Sequence, residues 1–265
     1  NGRFTSQKWP FDKDAEDIDA LFFDADGDND QDLYVVSGGN EREASDPAMQ
    51  DRLYLNDGKG NFSQTSSSLP AMPASGGCVV AIDIEGDGDM DLFVGGRQEP
   101  GRYPNPGRSY LLRNDDGRFT DVTQALAPEL AQAGMVTSVL ATDYDRDGQI
   151  DLMLAGEWMP LTFFHNQKGN FTLDSLSIVQ ASDLSAIQAT GWWFSLVEHD
   201  IDGDGDMDYL AGNLGKNYKY QASQEVPFEV FADDFDKNGS QDIVLSYQQK
   251  GTKFPLRGRE CSSQQ

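Results

Sequence analysis

Residues 199–213 read HDIDGDGDMDYLAGN. Asp200, Asp202, Asp204, Asp206 and Asp208 take alternate positions, and an apolar run follows at once. Alternation with period two is the pattern of a strand with one wet face. Here that face would carry like charges only. Carboxylates within about 5 Å of one another repel by roughly 3 kcal/mol per pair at an effective dielectric near 20. A compact loop of this composition therefore needs a counter-ion.

The stretch recurs. Asp24–Asp32 reads DADGDNDQD, Asp83–Asp91 DIEGDGDMD, Asp143–Asp151 DYDRDGQID, Asp200–Asp208 DIDGDGDMD and Asp234–Asp242 DFDKNGSQD. The first four start 59, 60 and 57 residues apart, and the fifth follows after 34. A second element keeps step: NGRF opens the chain, then NDGKGNF at 56–62, NDDGRF at 114–119 and NQKGNF at 166–171. Asn and Gly between apolar runs signal hairpin turns. A fixed period in the 50s signals stacked or radially arranged units, none able to bury its own faces alone.

Each unit reads as four short antiparallel strands. One leads into the acidic loop (SGGCVVAID, MVTSVLATD) and one leaves it (DLYVVSGG, DLFVGG, DLMLAG). A third precedes the Asn/Gly turn, and the last begins at Phe4, Phe62, Phe119 or Phe171. Inner strands apolar at nearly every position are hidden on both faces. The expected fold is all-β, a β-propeller of four-stranded antiparallel blades, with a β-sandwich or parallel β-helix as alternatives. One domain over 1–265 would hold units at roughly 12–64, 65–121, 122–175 and 176–265. The last hairpin, around Asp234–Asp242, either opens a fifth sheet or completes the fourth.

Several carboxylates in loops that themselves contain no His or Cys suit a hard cation, and flexible oxygen geometry favours Ca²⁺ over Mg²⁺. The expected ligands are positions 1, 3, 5, 7 and 9 of each loop. They are Asp24, Asp26, Asp28, Asp30 and Asp32; Asp83, Glu85, Asp87, Asp89 and Asp91; Asp143, Asp145, Asp147, Gln149 and Asp151; Asp200, Asp202, Asp204, Asp206 and Asp208; and Asp234, Asp236, Asn238, Ser240 and Asp242. Position 7 would offer its backbone carbonyl. Gly205 at position 6 permits the sharp turn, and Asn29 tolerates the same left-handed backbone. Position 12 is never Glu, and a strand follows instead of a helix, so these are not EF-hands. The fifth loop, with Asn238 for Asp, is expected to bind most weakly. The total is about four to five Ca²⁺ ions.

Forty-five acidic against 20 basic residues give a net charge of −25. That argues against nucleic acid and anionic membranes as partners, because phosphate is bound by Lys and Arg. No apolar run is long enough to insert directly into a membrane. The chain starts at Asn1 and reads as a piece of a longer protein. Cys78 reads as a core thiol, with pairing to Cys261 left open. His165 and His199 are far apart in sequence, and His165 reads as a plain strand residue.

Strand, D-x-D-x-D-G-x-x-D-L, strand, then Gly-Gly or Ala-Gly, at a period near 60, resembles the FG-GAP/VCBS repeats of integrin-α-like propellers. Residues 191–247, GWWFSLVEHDIDGDGDMDYLAGNLGKNYKY…PFEVFADDFDKNGSQDIVLSY, resemble the cartilage-acidic-protein-like group, whose members pair such repeats with an ASPIC/UnbV domain. The resemblance implies a seven-bladed ring with Ca²⁺ in loops between inner strands, on secreted or cell-surface proteins. About four and a half units cannot close such a ring: either blades are missing or the ring is smaller.

The favoured function is a non-catalytic, calcium-binding adhesion or recognition module with a protein or carbohydrate ligand, working in an extracellular, cell-surface or periplasmic setting. No catalytic residue is assigned. The rival is a polysaccharide lyase or hydrolase using Glu157, Glu198 or Glu225, each read first as an exposed surface acid. RNA binding is disfavoured by the charge. Trp192 and Trp193 are adjacent on a strand, so at least one belongs to the core.

Overall fold

The computed structural model describes residues 14–174, 190–215, 219–223 and 225–257. Phe4 and Cys261 lie outside them. Every sheet is antiparallel. The first contains β1 (Asp17–Phe23), β2 (Asp32–Ser37), β3 (Arg52–Asn56) and β4 (Phe62–Gln64), hydrogen-bonded in that order. The second repeats the order with β5 (Ser75–Ile82), β6 (Asp91–Gln98), β7 (Tyr110–Asp115) and β8 (Arg118–Asp121). The third does so again with β9 (Met135–Thr142), β10 (Asp151–Met159), β11 (Thr162–Gln167) and β12 (Asn170–Leu173). The acidic loops join the first two strands of each sheet.

The far end of β10 also pairs with β13 (Gly191–His199), through Glu157 opposite Trp192 and Met159 opposite Gly191, and β13 pairs with β14 (Asp208–Asn213). The fifth loop lies between β15 (Glu229–Asp233) and β16 (Asp242–Gln249), which with β17 (Thr252–Pro255) form a separate three-stranded sheet. That hairpin therefore opens its own sheet; among the described residues it is not hydrogen-bonded to β14 as an outer hairpin of the fourth.

The sheets are arranged like propeller blades. Their first strands, β1, β5, β9 and β13, lie side by side in that order. Backbone and side chain stitch them together. Asp19 Oδ2 accepts the Val79 N–H at 3.0 Å, and Ser138 Oγ accepts the Leu196 N–H at 3.1 Å. Gly77 is needed here, because a Cβ on it would overlap the Val136 carbonyl of the next blade.

Alternate residues of each second strand face different neighbours, which is why these strands carry no polar stripe. In β6, Leu92 and Val94 join Phe23, Tyr34, Val36 and Phe119 between the first two blades. Phe93 joins Leu152, Leu154, Phe164 and Phe171 between the second and third. Met153, Ala155 and Phe163 pack with Leu196 between the third and fourth, with half-buried Trp193 against them. Cys78 is a buried, unpaired thiol in the second of these cores.

The two outermost faces lack such cover. On the first blade Ile18 and Phe22 are exposed and Phe62 only half-buried. On the fourth, Val197 pairs with Leu210, and both are exposed, Leu210 at 67%. Among the described residues no sheet closes into a ring.

Candidate metal centre

The five acidic loops share one backbone scaffold, built by their own side chains. The position-1 carboxylate accepts N–H groups from within the loop. Asp24 accepts from Gly27 and Asn29, Asp83 from Gly86 and Gly88, and Asp200 from Gly203 and Gly205, all at 2.7–3.1 Å. Asp143 holds the Asp147 and Gly148 N–H groups, and Asp234 those of Asn238 and Gly239. Position 5 makes a local turn in every loop: Asp28, Asp87, Asp147, Asp204 and Asn238 each accept the N–H two residues on. The backbone is left-handed at position 6 in all five loops, at Asn29, Gly88, Gly148, Gly205 and Gly239, and also at position 4. Position 4 is Gly in three loops but Arg146 (φ 62°) and Lys237 (φ 60°) in the others.

Position 9 opens the outgoing strand. Asp32, Asp91 and Asp151 are fully buried. One oxygen of each accepts the N–H of an Asn at or next to the end of the third strand, Asn56, Asn114 or Asn166, at 2.6–2.8 Å. Those Asn side chains tie loop to turn, because their Oδ1 accepts from Gly60, Gly117 and Gly169 and their Nδ2 donates to the loop carbonyls of Gln31, Met90 and Ile150. Asn114 Nδ2 also donates to the Ala25 carbonyl of the previous blade, at 2.9 Å.

Three ligand-type atoms lie within 4.8 Å of one another in four loops: Asp24, Asp26 and Asp32; Asp143, Asp145 and Asp147; Asp200, Asp202 and Asp208; and Asp234, Asp236 and Asp242. Among the described residues, Asp83, Glu85, Asp87 and Asp91 form no such triad. This loop has a guanidinium beside it instead, with Arg113 Nε 3.6 Å from Glu85 Oε1.

The donor sets fit a cation. Asp26 Oδ1 and Asp30 Oδ1 are buried without a hydrogen-bond partner. Burial, then Asp28, raises the Asp26 carboxyl, and the same two causes raise Asp30. Burial, then repulsion from Glu85, pushes Asp91 up to about 6; burial, then Asp145, does the same to Asp151. Anions held at this cost are what a divalent ion would relieve. Position-7 side chains are partly committed elsewhere: Asp89 accepts from Asp116 N–H, and Asp206 pairs with Arg146 of the third loop.

Two expectations need correction. The third loop does have a histidine beside it: His165 on β11 places Nδ1 3.1 Å from Asp145 and 3.2 Å from Asp151. Pairing of β10 with β11 brings it there from 14 residues away, which linear inspection of the loop does not register. Glu157 is no exposed acid. It is 5% exposed, and Arg97 (3.0 and 2.5 Å) and the Tyr103 hydroxyl (2.9 Å) occupy both its oxygens. Trp158 Nε1 donates to the same hydroxyl at 2.6 Å.

Glu198 is six residues from Trp192 along β13, and Trp192 lies opposite Glu157. The two acids are thus about 20 Å apart along the strand, beyond a glycosidase carboxylate pair. Glu225 is exposed and bonded to Ser223.

The aromatic groups gather at the blade ends opposite the acidic loops. Trp158 stacks on Phe228 and meets Trp192 edge-on. Beside them is a cavity of about 340 Å³ lined by Tyr220, Pro227, Phe228, Tyr247 and Gln248. Sequence reasoning singled out Trp192 but not its partners, which come from three separate segments.

No curated protein matches the chain. A lectin of Agrocybe aegerita, described for specific recognition of non-reducing terminal N-acetylglucosamine, is similar at 17% identity and a TM-score of 0.47. The match covers 89% of this chain and 64% of the lectin; so distant a likeness carries no argument. The FG-GAP-like repeat matches three times, over residues 24–94, 102–154 and 143–211, which together take in well over half of the sequence. Each match contains an acidic loop and at least the start of the strand leaving it, and the chain belongs to the FG-GAP-like repeat family.

Proposed function

We propose that this chain is a non-catalytic recognition module whose propeller blades are stabilised by Ca²⁺, part of a ring of seven blades, working in an extracellular, cell-surface or periplasmic fluid. The observation that carries the reading is the repeated loop scaffold. Backbone N–H groups hold the first carboxylate in place while three ligand atoms converge within 4.8 Å in four loops. Oxygen donors in a flexible loop suit Ca²⁺ at the millimolar level of such fluids. The ligand, a carbohydrate or a protein, would sit at the opposite end, where Trp158, Tyr220, Phe228 and Tyr247 supply ring faces and edges.

An enzyme on the same scaffold has weaker support, since Glu157 is already bonded at both oxygens and Glu198 stands about 20 Å from it along the strand.

Thermal melting tests the calcium reading. A site filled at 100 times its Kd contributes about 2.7 kcal/mol, so even one ion moves Tm by roughly 5–10 °C in a domain of this size. Melting in millimolar Ca²⁺ should exceed melting in excess chelator by at least that much. Identical curves would remove the reading. Recognition is tested by probing glycan and peptide arrays in calcium.

A further inference from the structure

The acidic loops share one scaffold, but the residue just before the tying Asn differs. It is Leu55 in the first blade, Arg113 in the second and His165 in the third. Leucine contributes no donor, and Arg113 brings a fixed positive charge to Glu85. His165 brings a nitrogen ligand. Its Nδ1 is 3.1 Å from Asp145 Oδ2 and 3.2 Å from Asp151 Oδ1, and its Nε2 is 4.0 Å from Asp147 Oδ2. Asp145, Asp151 and His165 each place one ligand atom within 4.8 Å of the others.

A second feature lies on the same carboxylate, on the oxygen other than the Oδ1 that His165 faces. Asp151 is 0% exposed, yet its Oδ2 is buried without a hydrogen-bond partner. In the other four loops the corresponding oxygen accepts the N–H of the second loop residue, from Ala25, Ile84, Ile201 or Phe235. The third loop has given up that bond, leaving a carboxylate oxygen free for another partner.

We propose that the third loop is a mixed nitrogen–oxygen site for a zinc-class divalent transition ion, with His165 Nδ1, Asp145 and Asp151 as ligands, and differs in this from its calcium-type neighbours. Imidazole nitrogen favours first-row transition ions over Ca²⁺. Ligands at 2.0–2.1 Å around tetrahedral Zn²⁺ stand roughly 3.3 Å from one another, close to the 3.1 and 3.2 Å spacings of His165 to the two carboxylates. A remaining position would fall to water or to Asp147, whose side chain is 41% exposed. This inference goes beyond the calcium reading at one loop and does not need that reading to hold.

The test uses the chain stripped of metal and returned to millimolar Ca²⁺, then titrated with Co²⁺ and, separately, Zn²⁺. The expected result is a visible Co²⁺ ligand-field band saturating at about one equivalent, and one Zn²⁺ retained through dialysis against calcium. His165→Leu, the first-blade residue, and His165→Gln should both lose the band while keeping any calcium-dependent rise in melting temperature. His199→Asn should keep it. Absence of the band in excess calcium, or its survival in both His165 variants, overturns the proposal. A band without calcium-dependent melting would sink the calcium reading alone.

Discussion

At the scale of the residue, the loops show backbone geometry outweighing side-chain contact. A Cβ on Gly239 would meet no atom within 4 Å, yet φ there is +91°. Gly239→Ala should cost about 1–2 kcal/mol through the left-handed backbone alone. Conversely, Lys237→Gly at φ +60° should gain up to about 1 kcal/mol. Denaturant titration reads both, and no effect of either would mean that the loop relaxes freely.

Asp51 gives a pH signature. It accepts the Ser37 N–H at 2.7 Å and the Tyr34 hydroxyl at 2.8 Å, and burial pushes its carboxyl up to about 7. The folded state then holds a proton that the unfolded chain has released. Its stabilising share is complete below about pH 4 and drains away as pH rises to about 7. Asp51→Asn, compared with the parent in chelator, should flatten that decline. A parallel pair of pH profiles would contradict the assignment.

At the scale of the element, much was legible in the sequence because the repeat is strict. Period-two alternation, the Asn/Gly turns and apolar inner strands specify four strands and a loop, and each is a local property. Arg113 and His165 were not legible as loop residues, since only the register of the second and third strands brings them under the carboxylates. Glu157 was misread for a similar reason: Arg97 and Tyr103 lie more than 50 residues away and nothing local marks them as partners. The tying Asn was visible as a turn signal, but its three-way role was not. Asn114→Ala should cost about 2–4 kcal/mol, because it leaves the Ala25 and Met90 carbonyls and the Gly117 N–H without this partner. Asn56→Ala, whose bonds are solvent-exposed, should cost about 1 kcal/mol or less. Equal losses in chemical unfolding would deny Asn114 its reach into the first blade.

At the scale of the whole molecule, stability is distributed between blades rather than within them. Leu152, fully buried between the second and third blades, should cost about 2–5 kcal/mol when cut to Ala. Leu210, on an uncovered face, should cost under about 0.5 kcal/mol. Similar losses in calorimetry would mean that something covers the fourth blade in solution.

The loops also carry a direction. Ala25 and Ile84, second residues of the first two loops, are buried, whereas Ile201 and Phe235 at the same position are 72% and 55% exposed. A Cβ on Gly117 would lie 3.0 Å from the Asp26 Cβ, and one on Gly169 would lie 3.4 Å from Ile84 Cγ2. The outer turns of the second and third blades thus rest on the acidic loop of the blade before. Damage to a loop would also be felt one unit downstream: slackening around Asp24–Asp32 should free amide exchange near Gly117 as well as in β1. The first three blades overlap like shingles on a roof, and the loss of one lap is shared by the two units it joins.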